Sequence, residues 1–110
     1  MKGLIKPSRV RFVNKEIEET FNKLNEGRGE EKEIYKWLVR AFEDIEENAF
    51  CGIQIPQRII PKDYNVTTLF KYDLPKAWRL LYTIETNEIL IISVILEWLD
   101  HKEYEKRFGY

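Results

Sequence analysis

The stretch that decides the fold runs Thr67-Thr68-Leu69-Phe70-Lys71-Tyr72-Asp73-Leu74-Pro75-Lys76-Ala77-Trp78-Arg79-Leu80-Leu81-Tyr82-Thr83-Ile84. Its period is two. Thr68, Phe70 and Tyr72 alternate with Leu69, Lys71 and Asp73. After Leu74-Pro75-Lys76, Trp78, Leu80, Tyr82 and Ile84 alternate with Arg79, Leu81 and Thr83. Successive side chains of a strand point to opposite faces, so this predicts two strands joined by a proline-containing turn. Glu85-Thr86-Asn87-Glu88 is a second turn, followed by a third strand over residues 89–97. Ile89, Ile91 and Ile95 line one of its faces and Leu90, Ile92 and Leu96 the other. A strand apolar on both faces belongs inside a sheet. One of those faces is expected to stay partly open for a partner.

The same alternation sets an expected register. Phe70 and Tyr72 share a face with Trp78 and Leu80, so Tyr72 should pair with Trp78 and Lys71 with Arg79. Like charges directly opposite destabilise a strand pair unless an anion lies between them. A phosphate is one such anion; the carboxylates of Asp73 and Glu97 are the alternative. Residues 98–110 read as a polar, basic tail with interspersed aromatics.

Upstream, the period lengthens. Arg9-Val10-Arg11-Phe12-Val13 is a short strand, and Asn14 is placed to cap the helix that follows. Ile17, Phe21 and Leu24 make one helical stripe, closed by Asn25-Glu26-Gly27-Arg28-Gly29. A second helix, from about residue 30 to about residue 48, carries Ile34, Leu38, Ala41, Phe42 and Ile45, widened by Trp37. Residues 49–66 contain Pro56 and Pro61 and read as an ordered, extended connector over the core edge. Strand, helical hairpin and meander in this order predict one α+β domain over residues 1–110. Its two helices pack on one face of a mainly antiparallel sheet of about four strands. Ile17, Phe21, Leu38, Phe42, Trp78, Leu80 and Tyr82 are the expected buried set.

The chain has 110 residues, 44% of them hydrophobic, enough for a core. Cys51, the single cysteine, builds no intrachain disulfide and reads as a small buried hydrophobe in a reducing, cytoplasmic compartment. Met1-Lys2-Gly3-Leu4-Ile5-Lys6-Pro7 lacks the apolar core of a signal peptide, and no apolar run is long enough to span a membrane. The net charge of −1 hides an asymmetry. Residues 15–48 hold six Lys/Arg against eleven Asp/Glu, a balance of −5, leaving +4 elsewhere. A local basic site is therefore compatible with the acidic whole. No metal or cofactor is expected.

The order of elements resembles the RelE/ParE toxin superfamily, written β-α-α-β-β-β. Trp78-Arg79-Leu80-Leu81-Tyr82 is similar to that family's aromatic-Arg-aliphatic-aliphatic-Tyr strand. Leu69-Phe70-Lys71-Tyr72 resembles the strand before it. Ile91-Ile92-Ser93-Val94-Ile95-Leu96, followed by His101 and Tyr104, resembles the last strand and its sequel. The motifs cover residues 67–110.

The resemblance implies the toxin of a type II toxin–antitoxin system, acting on mRNA in the ribosomal A site as an endoribonuclease. The ribose 2′-OH would attack the adjacent phosphodiester. Arg79, with Lys71 beside it, would hold the phosphate oxygens, a task suited to a guanidinium fork. His101 would transfer a proton near neutral pH, and Tyr104 would stack on a base or donate its proton. Lys76, Lys102 and Arg107 would bind RNA. A cognate antitoxin is the implied protein partner; no membrane or cofactor is implied. Arg79→Ala should then abolish toxicity with little change in stability. The alternative is a ParE-like or catalytically silent RelE-fold protein acting only by protein binding, with Arg79 a structural arginine paired to Asp73 or Glu97 and His101 a surface residue.

Overall fold

Asn14 opens the first helix. Its side chain accepts the Ile17 N–H at 2.9 Å, satisfying a donor that has no partner within the first turn. In the computed structural model, which describes residues 6–86 and 90–109, this helix is α1, Lys15–Glu26, and α2 is Glu30–Glu47. The strand before them is β1, Arg9–Phe12. After them come β2, Ile53–Gln54; β3, Phe70–Asp73; β4, Arg79–Thr86; β5, Ile91–Leu99; and α3, His101–Phe108.

The strands form one sheet in the order β1-β5-β4-β3-β2. Every neighbouring pair is antiparallel except β1 and β5, which run parallel with Arg9 beside Ile92 and Phe12 beside Ile95. The helical hairpin lies between β1 and the meander in sequence, and this return lets the first strand lie alongside the last. The fold class is α+β with a mainly antiparallel sheet, as the periodicities predict. It has five strands rather than about four. The addition is β2, two residues from the segment expected to be an extended connector. Gly52 enters it against β3, where a Cβ would lie 2.6 Å from the Lys71 carbonyl oxygen.

Both sheet faces are covered. Ile34, Leu38, Ala41 and Ile45 of α2 pack on Phe70, Leu80, Tyr82 and Ile95. On the opposite face, Ile55 and half-buried Ile59, Ile60, Tyr64 and Val66 of the connector join Tyr104 and Phe108 of α3 over Leu69, Leu81, Val94, Leu96 and Leu99. The expected helix-free face is thus covered by α3 and the connector, and Ser93, Val94, Ile95 and Leu96 are buried. Towards its start the strand is less covered: Ile91 and Ile92 are half-buried and Leu90, just before it, is exposed, so the partly open part is this end and not a whole face. Of the expected core, Leu38, Leu80 and Tyr82 are buried, whereas Ile17, Phe21, Phe42 and Trp78 are half-buried. Phe21, Phe42 and Trp78 still pack against the helix-side cluster.

Three further expectations are corrected. Residues 98–110 are not a tail: Trp98 and Leu99 complete β5, and α3 follows. Cys51 is exposed. The register is shifted by two residues, so Asp73 opposes Arg79 and Lys71 opposes Leu81. The shift follows from the turn. Trp78 N–H donates to Pro75 O at 3.3 Å, with Lys76 at φ 57° and Ala77 at φ 63°. Two left-handed central residues make the type I′ arrangement, which suits strand twist. Leu74 N–H donates to Trp78 O at 2.9 Å, so these two residues face each other just beyond the strand ends.

β5 contains a bulge at Leu96, because Leu81 opposes Glu97 while Tyr82 opposes Ile95. The extra residue puts Leu96 and Glu97 on the α3 side together. Asn87, Glu88 and Ile89, part of the expected second turn and third strand, lie outside the described residues, as do Met1 to Ile5. Among the described residues no helix is long and apolar enough to cross a membrane.

Candidate functional site

Lys71 and Asp73 are two apart on β3 and so share a face, and Asp73 is the cross-strand neighbour of Arg79. The three side chains meet. Asp73 Oδ1 lies 3.0 Å from Lys71 Nζ and 3.2 Å from Arg79 Nε. Arg79 also donates from Nη1 to the Ala77 carbonyl at 2.6 Å. Its Cζ sits 5.0 Å from the centre of the Tyr104 ring. Tyr104 is 4% exposed and stacks on Phe108 with centroids 4.6 Å apart. The ring is therefore a platform beneath the guanidinium, a cation–π contact in a partly dry setting.

Asp100 brings Tyr104 there. Its side chain accepts the Glu103 N–H at 2.8 Å, and the Glu103 carboxylate accepts the Asp100 N–H at 3.1 Å. This reciprocal cap starts α3 directly after β5. The fold-back needed to bring Tyr104 to Arg79 thus exists, as a helix.

Lys71, Arg79 and Tyr104 come together. His101 takes a different partner: its Nε2 lies 3.1 Å from Glu105 Oε2, and its side chain is 53% exposed. Lys76 Nζ is 3.8 Å from Glu33 of α2, and Lys102 is exposed.

Arg107 is not placed as a free RNA contact. It is 2.9 Å from Asp63 and 3.5 Å from Glu97, and it covers the Tyr64 ring at 4.5 Å. Tyr64 donates its hydroxyl proton to Glu97. The Asp63 carboxylate pushes the Arg107 pKa further up, and hydrogen bonding to Arg107 holds Asp63 below the usual carboxylate range. Burial, then the Glu97 hydrogen bond, raises Tyr64. This cluster ties connector, β5 and α3 together.

Sequence reasoning passed over Asp63 and Tyr64, whose partners lie far along the chain. Asp73 it placed only as an alternative, although the two-residue spacing from Lys71 was visible. Chemically, Lys71 and Arg79 form a pair of cations converging on one oxygen, a geometry suited to a phosphate or carboxylate oxygen. No group of three or more His, Cys, Asp or Glu residues that could hold a metal ion occurs among the described residues. Comparison with protein families, with curated proteins and with solved structures finds no match to the chain.

Proposed function

We propose that this chain is a RelE/ParE-type toxin of a type II toxin–antitoxin pair, acting as an endoribonuclease on mRNA at the ribosome. The observation that carries the reading is the convergence of Lys71 and Arg79 on one oxygen, on the sheet face away from the helical hairpin. The order of a strand, two helices and then the meander strands supports it. In this reading Arg79 and Lys71 hold the scissile phosphate and its developing charge. Tyr104, buried under Arg79, positions the guanidinium instead of stacking on a base. His101, exposed at the start of α3, supplies proton transfer once substrate is bound. The partners are mRNA in the ribosomal A site and a cognate antitoxin, and the compartment is the cytoplasm.

A second reading has an observation of its own. Asp73 neutralises both cations, and His101 is paired with Glu105. A catalytically silent protein of the same fold, acting by protein binding alone, would carry such a charge-neutralised cluster.

Induced expression combined with in vitro translation and mapping of mRNA ends separates the two. The nuclease reading expects growth arrest and cleaved mRNA from the natural chain, and neither from Arg79→Lys, which keeps the charge but loses the fork. Growth arrest with intact mRNA selects the binding reading. Normal growth with intact mRNA removes the nuclease reading and leaves a silent binding protein.

A further inference from the structure

Asp73 is the exposed member of a cluster whose two cations are mostly covered. Its side chain is 52% exposed, against 20% for Lys71 and 17% for Arg79. Arg79 is held by other means as well. Arg79 is fixed by the Ala77 carbonyl and by the Tyr104 ring, and Lys71 sits on a strand paired to both β2 and β4. Asp73 is the last residue of β3, and rotation about its side-chain bonds alone would carry the carboxylate away. Two positive groups would remain, with Nζ and Nε 3.0 and 3.2 Å from the place of one oxygen, and Arg79 Nε, buried, has no hydrogen-bond partner even with Asp73 in place.

We propose that Asp73 is a built-in mask, whose carboxylate occupies the position of a phosphodiester oxygen and is displaced when a polyanionic nucleic-acid strand binds. The proposal rests on reading the Lys71–Arg79 pair as a phosphate site. A carboxylate on the same strand competes at high effective concentration, so a single free phosphate displaces it poorly. A strand held through several phosphates has the advantage of its other contacts and of counterion release. The cluster thus keeps the isolated protein quiet towards small anions.

The test is binding of two probes, inorganic phosphate and a short single-stranded DNA, which lacks the 2′-OH nucleophile and so reports binding apart from cleavage. Both are titrated at fixed salt and followed by backbone amide NMR shifts. Asp73→Asn should bind phosphate roughly tenfold more tightly than the natural chain. Arg79→Lys or Lys71→Gln, added to Asp73→Asn, should remove the gain. Glu43→Gln, an equal charge change on exposed α2, should produce none. Asp73→Ser serves the same purpose if the asparagine variant does not fold. Equal phosphate binding by natural chain and Asp73 variants, an equal gain in Glu43→Gln, or no binding of either probe overturns the mask. A natural chain that neither arrests growth nor cuts mRNA, yet shows the binding difference, ends the toxin reading and leaves the mask. Toxicity without the binding difference does the reverse.

Discussion

Ala77 sits at φ 63° and Lys76 at φ 57°, where a Cβ crowds the backbone and where glycine or asparagine is the usual occupant. Arg79 holds this turn by donating to the Ala77 carbonyl. Relief of the crowding should outweigh the added freedom of the unfolded chain, so Ala77→Gly should stabilise the protein by about 1 kcal/mol. Urea denaturation checks this, and a lower midpoint would show that the turn is not strained. Arg79 itself has three attachments: the Ala77 carbonyl, Asp73 and the Tyr104 ring. Arg79→Ala should therefore cost about 2 kcal/mol, against the expectation from sequence of little change. The residue's role in activity is better read from Arg79→Lys, with a melting curve beside each assay.

At the scale of elements, α3 is what completes the cluster, by sliding Tyr104 under Arg79. Its start depends on the reciprocal cap of Asp100 and Glu103. Asp100→Ala should cost about 1 kcal/mol. Amide exchange should rise first at Glu103 and Tyr104 while the β4 and β5 amides stay protected. Uniform exchange across the molecule would mean that α3 and the sheet open as one unit. This helix was legible: Asp100-x-x-Glu103 followed by Gly109 is a start and stop signal, but the polar composition of residues 98–110 hid it. Two helices, the meander and the face of Leu80 and Tyr82 were legible because periods of 3.6 and two are local properties of the chain. The register was not, because a turn with Lys76 and Ala77 in left-handed conformations has no Asn-Gly to announce it. A two-residue shift of register moved Arg79 from opposite Lys71 to opposite Asp73 and changed the meaning of the site. Nor was the bulge at Leu96 visible in a run of aliphatic residues.

For the whole molecule, Tyr64, Tyr72 and Tyr82 couple stability to alkaline pH. Burial raises Tyr64, Tyr72 and Tyr82 above the ordinary phenol value, with Glu97 and Asp44 accepting from Tyr64 and Tyr72 respectively. Tyr82, fully buried, donates to the Ala49 carbonyl at 2.7 Å. The folded state keeps these protons where the unfolded chain releases them. Their contribution is complete below about pH 10 and is lost as the pH rises beyond it. Denaturation midpoints should fall steadily above about pH 10. A flat midpoint would contradict the burial assigned here.

The parallel pairing of β1 with β5 has a consequence for the newborn chain. Arg9 finds its neighbour only when Ile92 has been made, and the intervening loop must close against its own entropy. Such long-range pairing slows folding and leaves early segments waiting. While the helical hairpin forms, β1 offers an unsatisfied edge and the apolar stripe of α2 lacks the sheet it covers. Tyr104 emerges later still. During translation there is thus an interval in which Arg79 exists but the ring beneath its guanidinium does not.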